Sequence, residues 1–264
     1  MSWRNQLDKN RGSRPRCVSL MDGEPHVVAE RLTQLVGLPD VVVTPDSKWL
    51  PEGLPVQGSD GSWDVAPADE ARLDKPNALL TEGESEQLSK WWLAHSGAAN
   101  TPNWDIASTC KVAGRNGILL VEAKAHAAEL TNGVKGKQLD AGASANSFAN
   151  HVQIGQAIAD SAAQIQRSTG EPCAISRDRH YQLSNRFAVA AKLTEMGYPV
   201  VLVYLGFLTA SEMAPQELLT SDEMWRTVVK QHSAAIDVGG LWDKRWQVNG
   251  QPFLPLIRSI DWPL

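Results

Sequence analysis

Two apolar runs, at residues 117–123 and 199–207, constrain the fold most strongly. Nearly all-apolar strands are typical of a sheet that is covered on both faces. A further strand is predicted at residues 103–112. Amphipathic patterns predict helices at residues 81–94, 147–168, 183–196 and 220–232. The order helix, strand, strand, helix, helix, strand, helix predicts an α/β or α+β fold in which helices flank a central mixed β-sheet.

The first part of the chain has a different character. Residues 1–80 are predicted to form an N-terminal extension, and residues 81–264 the main domain. Residues 1–20 are basic and poor in apolar side chains, which is typical of a mobile tail, and a nucleic-acid-binding arm is the alternative. Prolines and glycines are frequent in residues 45–80, so loops are expected there.

Short local patterns predict three further elements. A helix is expected over residues 25–36, because Gly37 provides a stop signal directly after the apolar stripe. A short strand is expected at residues 40–44. The Asn-Gly pair at residues 249–250 is typical of a β-hairpin turn close to the end of the chain.

Composition excludes several classes of protein. The net charge of -5 argues against binding nucleic acid by bulk charge alone, although a local basic groove is compatible with it. The 3 cysteines form no CxxC pair, so neither a disulfide scaffold nor a structural zinc site is expected, and a reducing, cytoplasmic location fits best. No apolar run approaches the roughly 18 residues of a membrane span, and no secretory signal is recognised.

Charged side chains at the end of the first apolar run, and just after it, need an explanation. Glu122, Lys124 and His126 alternate with small or apolar residues, so all three share one face of the predicted strand. Asp105 lies near the start of the preceding strand. Charges at the end of a central strand lie at the mouth of a cleft, where burial is costly unless they are paired or bind a metal ion.

The position of the turn between these strands decides whether Asp105 and Glu122 meet. A tight turn centred on residues 116–117 would move Asp105 about 20 Å along the sheet from Glu122. The two carboxylates face each other only if the hairpin is centred near residues 113–114, with residues 115–117 in a wider loop or bulge. We predict this wider form.

The pattern resembles the PD-(D/E)xK nuclease superfamily. Asp105 is followed by Glu122-x-Lys124 at the end of a hydrophobic strand, with an acidic helix before the hairpin and a helix after it. The resemblance covers roughly residues 81–207. Residues 103–104 are Asn-Trp, where many relatives have a proline before the aspartate. The resemblance implies a restriction-endonuclease-like core.

The resemblance also implies an activity and a metal. A Mg²⁺-dependent endonuclease is expected, acting on nucleic acid, with DNA favoured over RNA and Mn²⁺ able to substitute. Asp105, Glu122 and the carbonyl of Ala123 would hold the metal ion. Lys124 would orient or help to deprotonate the attacking water and stabilise charge in the transition state. Because enzymes that cut both strands often pair two sites, a homodimer is compatible with the resemblance.

Several further residues are candidates, and for the acid and the glutamines the reason is that relatives often carry such side chains near the site. Glu86 is the candidate acid on the preceding helix. The ordinary alternative is that its negative charge only stabilises the N-terminus of that helix through the helix dipole. Gln156 is the candidate glutamine on the following helix, where a solvated helix face is the ordinary alternative. The candidate substrate contacts are His126, Lys135, Lys137 and Gln153.

A second class of function stays open at this point. A non-catalytic relative could use the same scaffold to bind nucleic acid or a protein partner, because a fold alone does not determine function. Metal binding separates the two hypotheses, since a degenerate site would not bind Mg²⁺ or Mn²⁺ at millimolar concentrations.

Overall fold

The computed structural model describes residues 2–75, 78–97, 99–131 and 134–264, and it is a mixed α/β protein. The helices of this part are α1 Ser13–Leu20, α2 Pro25–Val36, α3 Glu82–Trp92, α4 Ala128–Thr131, α5 Ala145–Thr169, α6 Tyr181–Glu195 and α7 Asp222–Ala234. The strands are β1 Val41–Val42, β2 Trp49–Leu50, β3 Val56–Gln57, β4 Trp63–Asp64, β5 Ile106–Val112, β6 Arg115–Lys124, β7 Val200–Leu208, β8 Trp246–Val248 and β9 Gln251–Asp261.

A curled mixed sheet organises the molecule, with the strand order β1-β5-β6-β7-β9-β8. β1 and β2 both pair antiparallel with β5, and β5 pairs antiparallel with β6. β6, β7 and β9 run parallel to one another at the centre, and β8 returns antiparallel to β9. The predicted central mixed sheet flanked by helices is therefore confirmed, and β3 and β4 form a separate ribbon.

Both faces of the central strands are buried, which explains their apolar sequences. Ile118 and Leu120 of β6 belong to a hydrophobic cluster that also includes residues of α3, α5, α6 and α7. Leu119 and Val121 belong to a second cluster, which includes residues of α1 and α2. Because successive side chains of a strand point to opposite faces, a strand covered on both sides has no place for a solvated residue.

The expectation of a mobile tail at residues 1–20 is wrong for its second half. α1 places Cys17, Val18 and Leu20 in the buried core, although this stretch has few apolar residues. Arg16 is buried as well, and its Nε donates a hydrogen bond of 2.9 Å to the carbonyl of Trp262. The second face of the sheet needs a cover, and α1 and α2 of the extension provide it.

The β5–β6 hairpin has the predicted centre but not the predicted shape. Pairing runs from Ile106–Val121 to Val112–Arg115, which leaves a tight turn at residues 113–114 with both φ angles positive, 49° and 78°. The prediction of a wider loop at residues 115–117 is wrong, because these residues belong to β6. Gly117 serves close packing there instead, since a Cβ atom would lie 2.7 Å from the carbonyl oxygen of Pro199.

The local predictions elsewhere agree with the structure to within a few residues. α2 ends at the left-handed Gly37, with φ of 67°, as the sequence predicts. The turn at residues 249–250 joins β8 and β9, which confirms the second hairpin. No helix among the described residues is long and apolar enough to cross a bilayer.

Candidate active site

The predicted acidic pair and lysine lie together in one cavity. Asp105 directly precedes β5, and Glu122 and Lys124 lie at the C-terminal end of β6. One further step of the hairpin register beyond Ile106–Val121 places Asp105 opposite Glu122. All three residues line a cavity with a volume of about 480 Å³. The register of the hairpin therefore brings together residues that are separated along the sequence.

Asp105 is a carboxyl group in an unfavourable place for a negative charge. Its Oδ2 accepts a hydrogen bond of 2.7 Å from the backbone N–H of Ala123. Burial raises the pKa of Asp105 to about 7, and the negative charge of Glu122 acts in the same direction. A divalent cation bound between the two carboxylates would relieve this repulsion.

Glu122 is buried between two cations. Its Oε1 accepts a hydrogen bond from Lys124 Nζ, and its Oε2 accepts one of 2.6 Å from Arg186 Nε. Burial raises the pKa of Glu122, but the Arg186 and Lys124 charges outweigh it, so the pKa lies below its ordinary value. Burial likewise lowers the pKa of Lys124, but Glu122 and Asp105 together hold it above its ordinary value. The pair is therefore fully charged inside the protein.

Arg186 is the main site residue that the sequence reasoning missed. It comes from α6, and its Nη1 donates a hydrogen bond of 2.9 Å to Asn185 Oδ1. Its guanidinium lies 4.6 Å from the centre of the Trp104 ring, an arrangement typical of a cation–π contact. The available sign was a polar pair, Asn185–Arg186, directly before the apolar residues 187–191 of a predicted helix.

Two further acids lie at the edge of the same cavity and were also missed. Glu129 Oε1 lies 3.6 Å from His126 Nε2. Glu70 Oε2 accepts a hydrogen bond of 3.2 Å from Asn103 Nδ2, and its Oε1 pairs with Arg14 Nη1 at 3.0 Å. Glu70 belongs to the loop-rich extension, where no motif or periodicity marks it. The cavity therefore combines four acids with buried cations.

Glu86 lies outside this cavity, contrary to the expectation from the resemblance. It is exposed on α3, and its Oε1 pairs with Lys90 Nζ at 2.7 Å. The buried face of α3 is formed by Ser85, Leu88 and Trp92, so Glu86 points to solvent. This placement removes Glu86 from the candidate site.

The two candidate glutamines are also absent from the cavity lining. Gln156 Nε2 donates a hydrogen bond of 2.8 Å to Asp160 Oδ1, one turn further along α5. Gln153 Nε2 donates one of 2.9 Å to the carbonyl of Trp91. Both residues lie off the buried face of α5, and their hydrogen bonds are structural. The structure does not bring either of them to the acidic pair.

The basic candidates lie around the rim instead. His126 is buried and lines a second cavity of about 390 Å³, which shares Lys9, Ser13 and Glu129 with the first. Lys137 Nζ lies 5.3 Å from the centre of the ring of Tyr181, which lines the first cavity.

Lys135 is less closely connected to the cavity. Its side chain is exposed, and its backbone carbonyl accepts a hydrogen bond of 3.2 Å from the N–H of Tyr181. Lys135 therefore contacts a residue of the cavity lining but does not line the cavity itself.

A pair of histidines lies behind the site. His180 directly precedes α6 and His232 lies in the last turn of α7, with their ring nitrogens Nδ1 and Nε2 3.4 Å apart. Burial lowers the pKa of His232 to about 4, and the charges of His180 and Lys124 act in the same direction. The neutral form of His232 is therefore the one that the fold favours.

The lowered pKa of His232 predicts that this residue makes a smaller contribution to folding stability as the solution becomes acidic. An unfolded histidine has a pKa of about 6.5, so the stabilising contribution is complete above that pH. It decreases as the pH falls through the window between about 6.5 and about 4. The free energy of unfolding in urea, measured across this window, should decrease less steeply in a His232→Gln variant. A matched His26→Gln change at an exposed site should keep the wild-type slope, and identical slopes in all three proteins would contradict the prediction.

Comparison with protein-family models, curated proteins and solved structures finds no match for this chain. The functional interpretation therefore rests on the geometry and charges of the cavity that Asp105, Glu122 and Lys124 line.

Proposed function

We propose that this protein is a metal-dependent nuclease of the PD-(D/E)xK type, which hydrolyses phosphodiester bonds of nucleic acid, with DNA as the favoured substrate. The observation that carries the proposal is the register of the β5–β6 hairpin. It places Asp105 opposite Glu122, and Lys124 lies in the same cavity. The order of a hairpin, a long helix and a strand parallel to β6 also supports a restriction-endonuclease-like core.

The donors in the cavity fit Mg²⁺ or Mn²⁺. Mg²⁺ in enzymes is often held by one or two carboxylates together with waters and substrate phosphates. Asp105 and Glu122 supply two carboxylates, and the described residues contain no group of three or more His, Cys, Asp or Glu side chains that could hold a metal alone. The N–H of Ala123 points to Asp105. The N–H and C=O groups of one residue in an extended strand point to the same side, so the carbonyl of Ala123 faces this edge too.

The residues of the chain can then divide the chemistry among them. A bound divalent ion would polarise a phosphoryl oxygen and lower the pKa of the attacking water. Lys124 is held in its charged form, so it orients the water or donates a hydrogen bond to a phosphoryl oxygen as negative charge develops. Arg186 offers a planar set of donors suited to a phosphate group.

A second candidate function is a non-catalytic module that binds nucleic acid or a protein. One observation favours it: both oxygens of Glu122 already accept hydrogen bonds from Lys124 and Arg186. The buried carboxylate is therefore neutralised without a metal ion. In a nuclease, the metal ion would share this carboxylate with Lys124 and Arg186 or displace one of them.

A cleavage panel separates the two candidates. Plasmid, linear duplex, single-stranded DNA and RNA are each incubated with Mg²⁺, Mn²⁺ or EDTA, with the wild type beside Lys124→Ala. Metal-dependent cleavage by the wild type, lost in Lys124→Ala, is expected, because Lys124 supplies the positive charge next to the acidic pair. Lys244→Ala is a matched control that removes a half-exposed lysine paired with Glu171, and it should cut normally.

Two results would reject the nuclease proposal together. These are an absence of cleavage for every substrate and an absence of Mn²⁺ binding by calorimetry in the millimolar range. Cleavage by Lys124→Ala at the wild-type rate would remove this lysine from the mechanism.

A further inference from the structure

The N-terminal segment, defined here as residues 8–14, forms a wall along the candidate active site. All seven of its residues line the second cavity, and Lys9 and Ser13 line the first cavity as well. Glu129 is also common to both cavities. The two cavities therefore adjoin, and together they form one groove that passes the acidic pair and continues along the N-terminal segment.

The segment is anchored to the body of the protein at its C-terminal end. The N–H of Gly12 donates a hydrogen bond of 3.4 Å to Glu212 Oε1, and the carbonyl of Gly12 accepts one of 3.2 Å from Arg16 Nη1. Arg16 Nη2 also donates one of 2.8 Å to Glu212 Oε2. These bonds connect the segment to a buried arginine, so its side chains are held beside the groove.

The segment presents two positive charges that the protein itself does not use. Arg14 pairs with Glu70, and Arg16 with Glu212. Lys9 and Arg11 are exposed, and neither takes part in an ion pair within the described residues. Two unpaired cations beside a groove are notable in a chain with a net charge of -5. Clustered Lys and Arg side chains are typical of a surface that contacts the phosphate backbone of a nucleic acid.

Another part of the cavity lining suits the same kind of ligand. The N-terminal part of α6 contributes Tyr181, Gln182 and Asn185 to the lining of the first cavity. Lys137 Nζ lies over the ring of Tyr181, 5.3 Å from its centre. Polar side chains therefore line the first cavity together with Lys9 and Ser13, and a further cation lies next to one of them.

We propose that the N-terminal segment binds the phosphate backbone of a nucleic-acid strand that lies along this groove. Lys9 and Arg11 contact phosphates that neighbour the one held at Asp105 and Glu122. This inference rests on the proposed nuclease function and identifies how the substrate is positioned. Contacts of this kind fix register and orientation on the nucleic acid, and they carry no sequence information.

The salt dependence of binding tests the proposal. Affinity for fluorescein-labelled DNA and RNA oligonucleotides, single-stranded and duplex, is measured by fluorescence anisotropy in EDTA at several salt concentrations. The double variant Lys9→Gln/Arg11→Gln should bind more weakly to all sequences. The slope of log K against log salt should be smaller by about 1 for each phosphate contact removed, and so by about 2 in total. The control Lys48→Gln/Lys230→Gln removes the same charge from exposed lysines that line neither cavity, and it should keep the wild-type slope.

The outcomes separate this proposal from the nuclease proposal. An unchanged slope in the double variant, with a wild type that binds and cuts, overturns the role of the segment and leaves the nuclease proposal intact. A wild type that neither binds nor cuts any of the nucleic acids overturns both. The single variants Lys9→Gln and Arg11→Gln, each expected to reduce the slope by about 1, keep the test decisive if the double variant has a lower melting temperature.

Discussion

Asp105→Asn is expected to abolish metal-dependent cleavage while the protein keeps or gains stability. Loss of the charge removes a proposed metal ligand, and removal of a single electrostatic group from an active site typically lowers kcat by about 10²–10³-fold. The asparagine keeps the shape, and its Oδ1 can still accept the hydrogen bond from the N–H of Ala123. Burial and the charge of Glu122 hold the pKa of Asp105 at about 7, so a neutral side chain relieves repulsion in the metal-free protein.

The measurement combines kcat on the best substrate of the cleavage panel with the free energy of unfolding in urea and EDTA. Glu86→Gln is the matched control, because this carboxylate is exposed, pairs with Lys90 and lies outside the cavity. The control should change neither quantity. Cleavage by Asp105→Asn at the wild-type rate would remove Asp105 from the mechanism. A large loss of stability in this variant would instead assign the residue a structural role.

The candidate catalytic cluster could be predicted from sequence because its members lie close together along the chain. Asp105 and Glu122 belong to one hairpin, and a hairpin has only a few possible registers. The requirement that the carboxylates face each other selected the centre at residues 113–114, which the structure confirms. The shape of the turn was not predictable, since Ala113 adopts a positive φ of 49° that its side chain does not favour.

The residues that complete the cavity could not be predicted in the same way. Arg186 follows Glu122 at a long distance along the chain, and it reaches Glu122 only because α6 packs with that face towards β6. Glu70 comes from an irregular loop. For Glu86 and Gln156, an amphipathic pattern shows that a helix has a polar face, but it does not show what that face meets. Tertiary packing decides these placements.

The N-terminal region shows the limit of composition as a guide. Residues 1–20 contain few apolar side chains, and composition alone predicts a tail. However, the central strands are apolar on both faces, and this fact requires a second layer of helices. Cys17 and Leu20 supply part of that layer. The apolar pattern of β6 thus indicated that some other segment covers its second face, and residues of α1 and α2 do so.

Arg186→Leu is expected to destabilise the protein by about 3 kcal/mol, because it leaves a buried carboxylate with one partner fewer. The side chains of Arg186 and Glu122 are only 7% and 2% exposed, so water cannot replace the lost partner. Arg245→Leu is the matched control, since Arg245 pairs with Asp40 at the surface, with side-chain exposures of 41% and 36%. The control substitution should lower the free energy of unfolding by less than about 1 kcal/mol. Equal losses in urea unfolding would show that the buried pair contributes no more than a surface pair.

The same variant connects the stability of the site to its metal chemistry. If the proposed metal ion binds Glu122, its positive charge competes with that of Arg186, which already donates a hydrogen bond to Oε2 of this residue. Without Arg186, the metal ion is the available source of positive charge for that oxygen. Mn²⁺ should therefore raise the free energy of unfolding more in Arg186→Leu than in the wild type, since a ligand stabilises the state that binds it more tightly. An equal or smaller increase in the variant would mean that Arg186 and the metal ion do not compete for Glu122, and it would contradict this prediction.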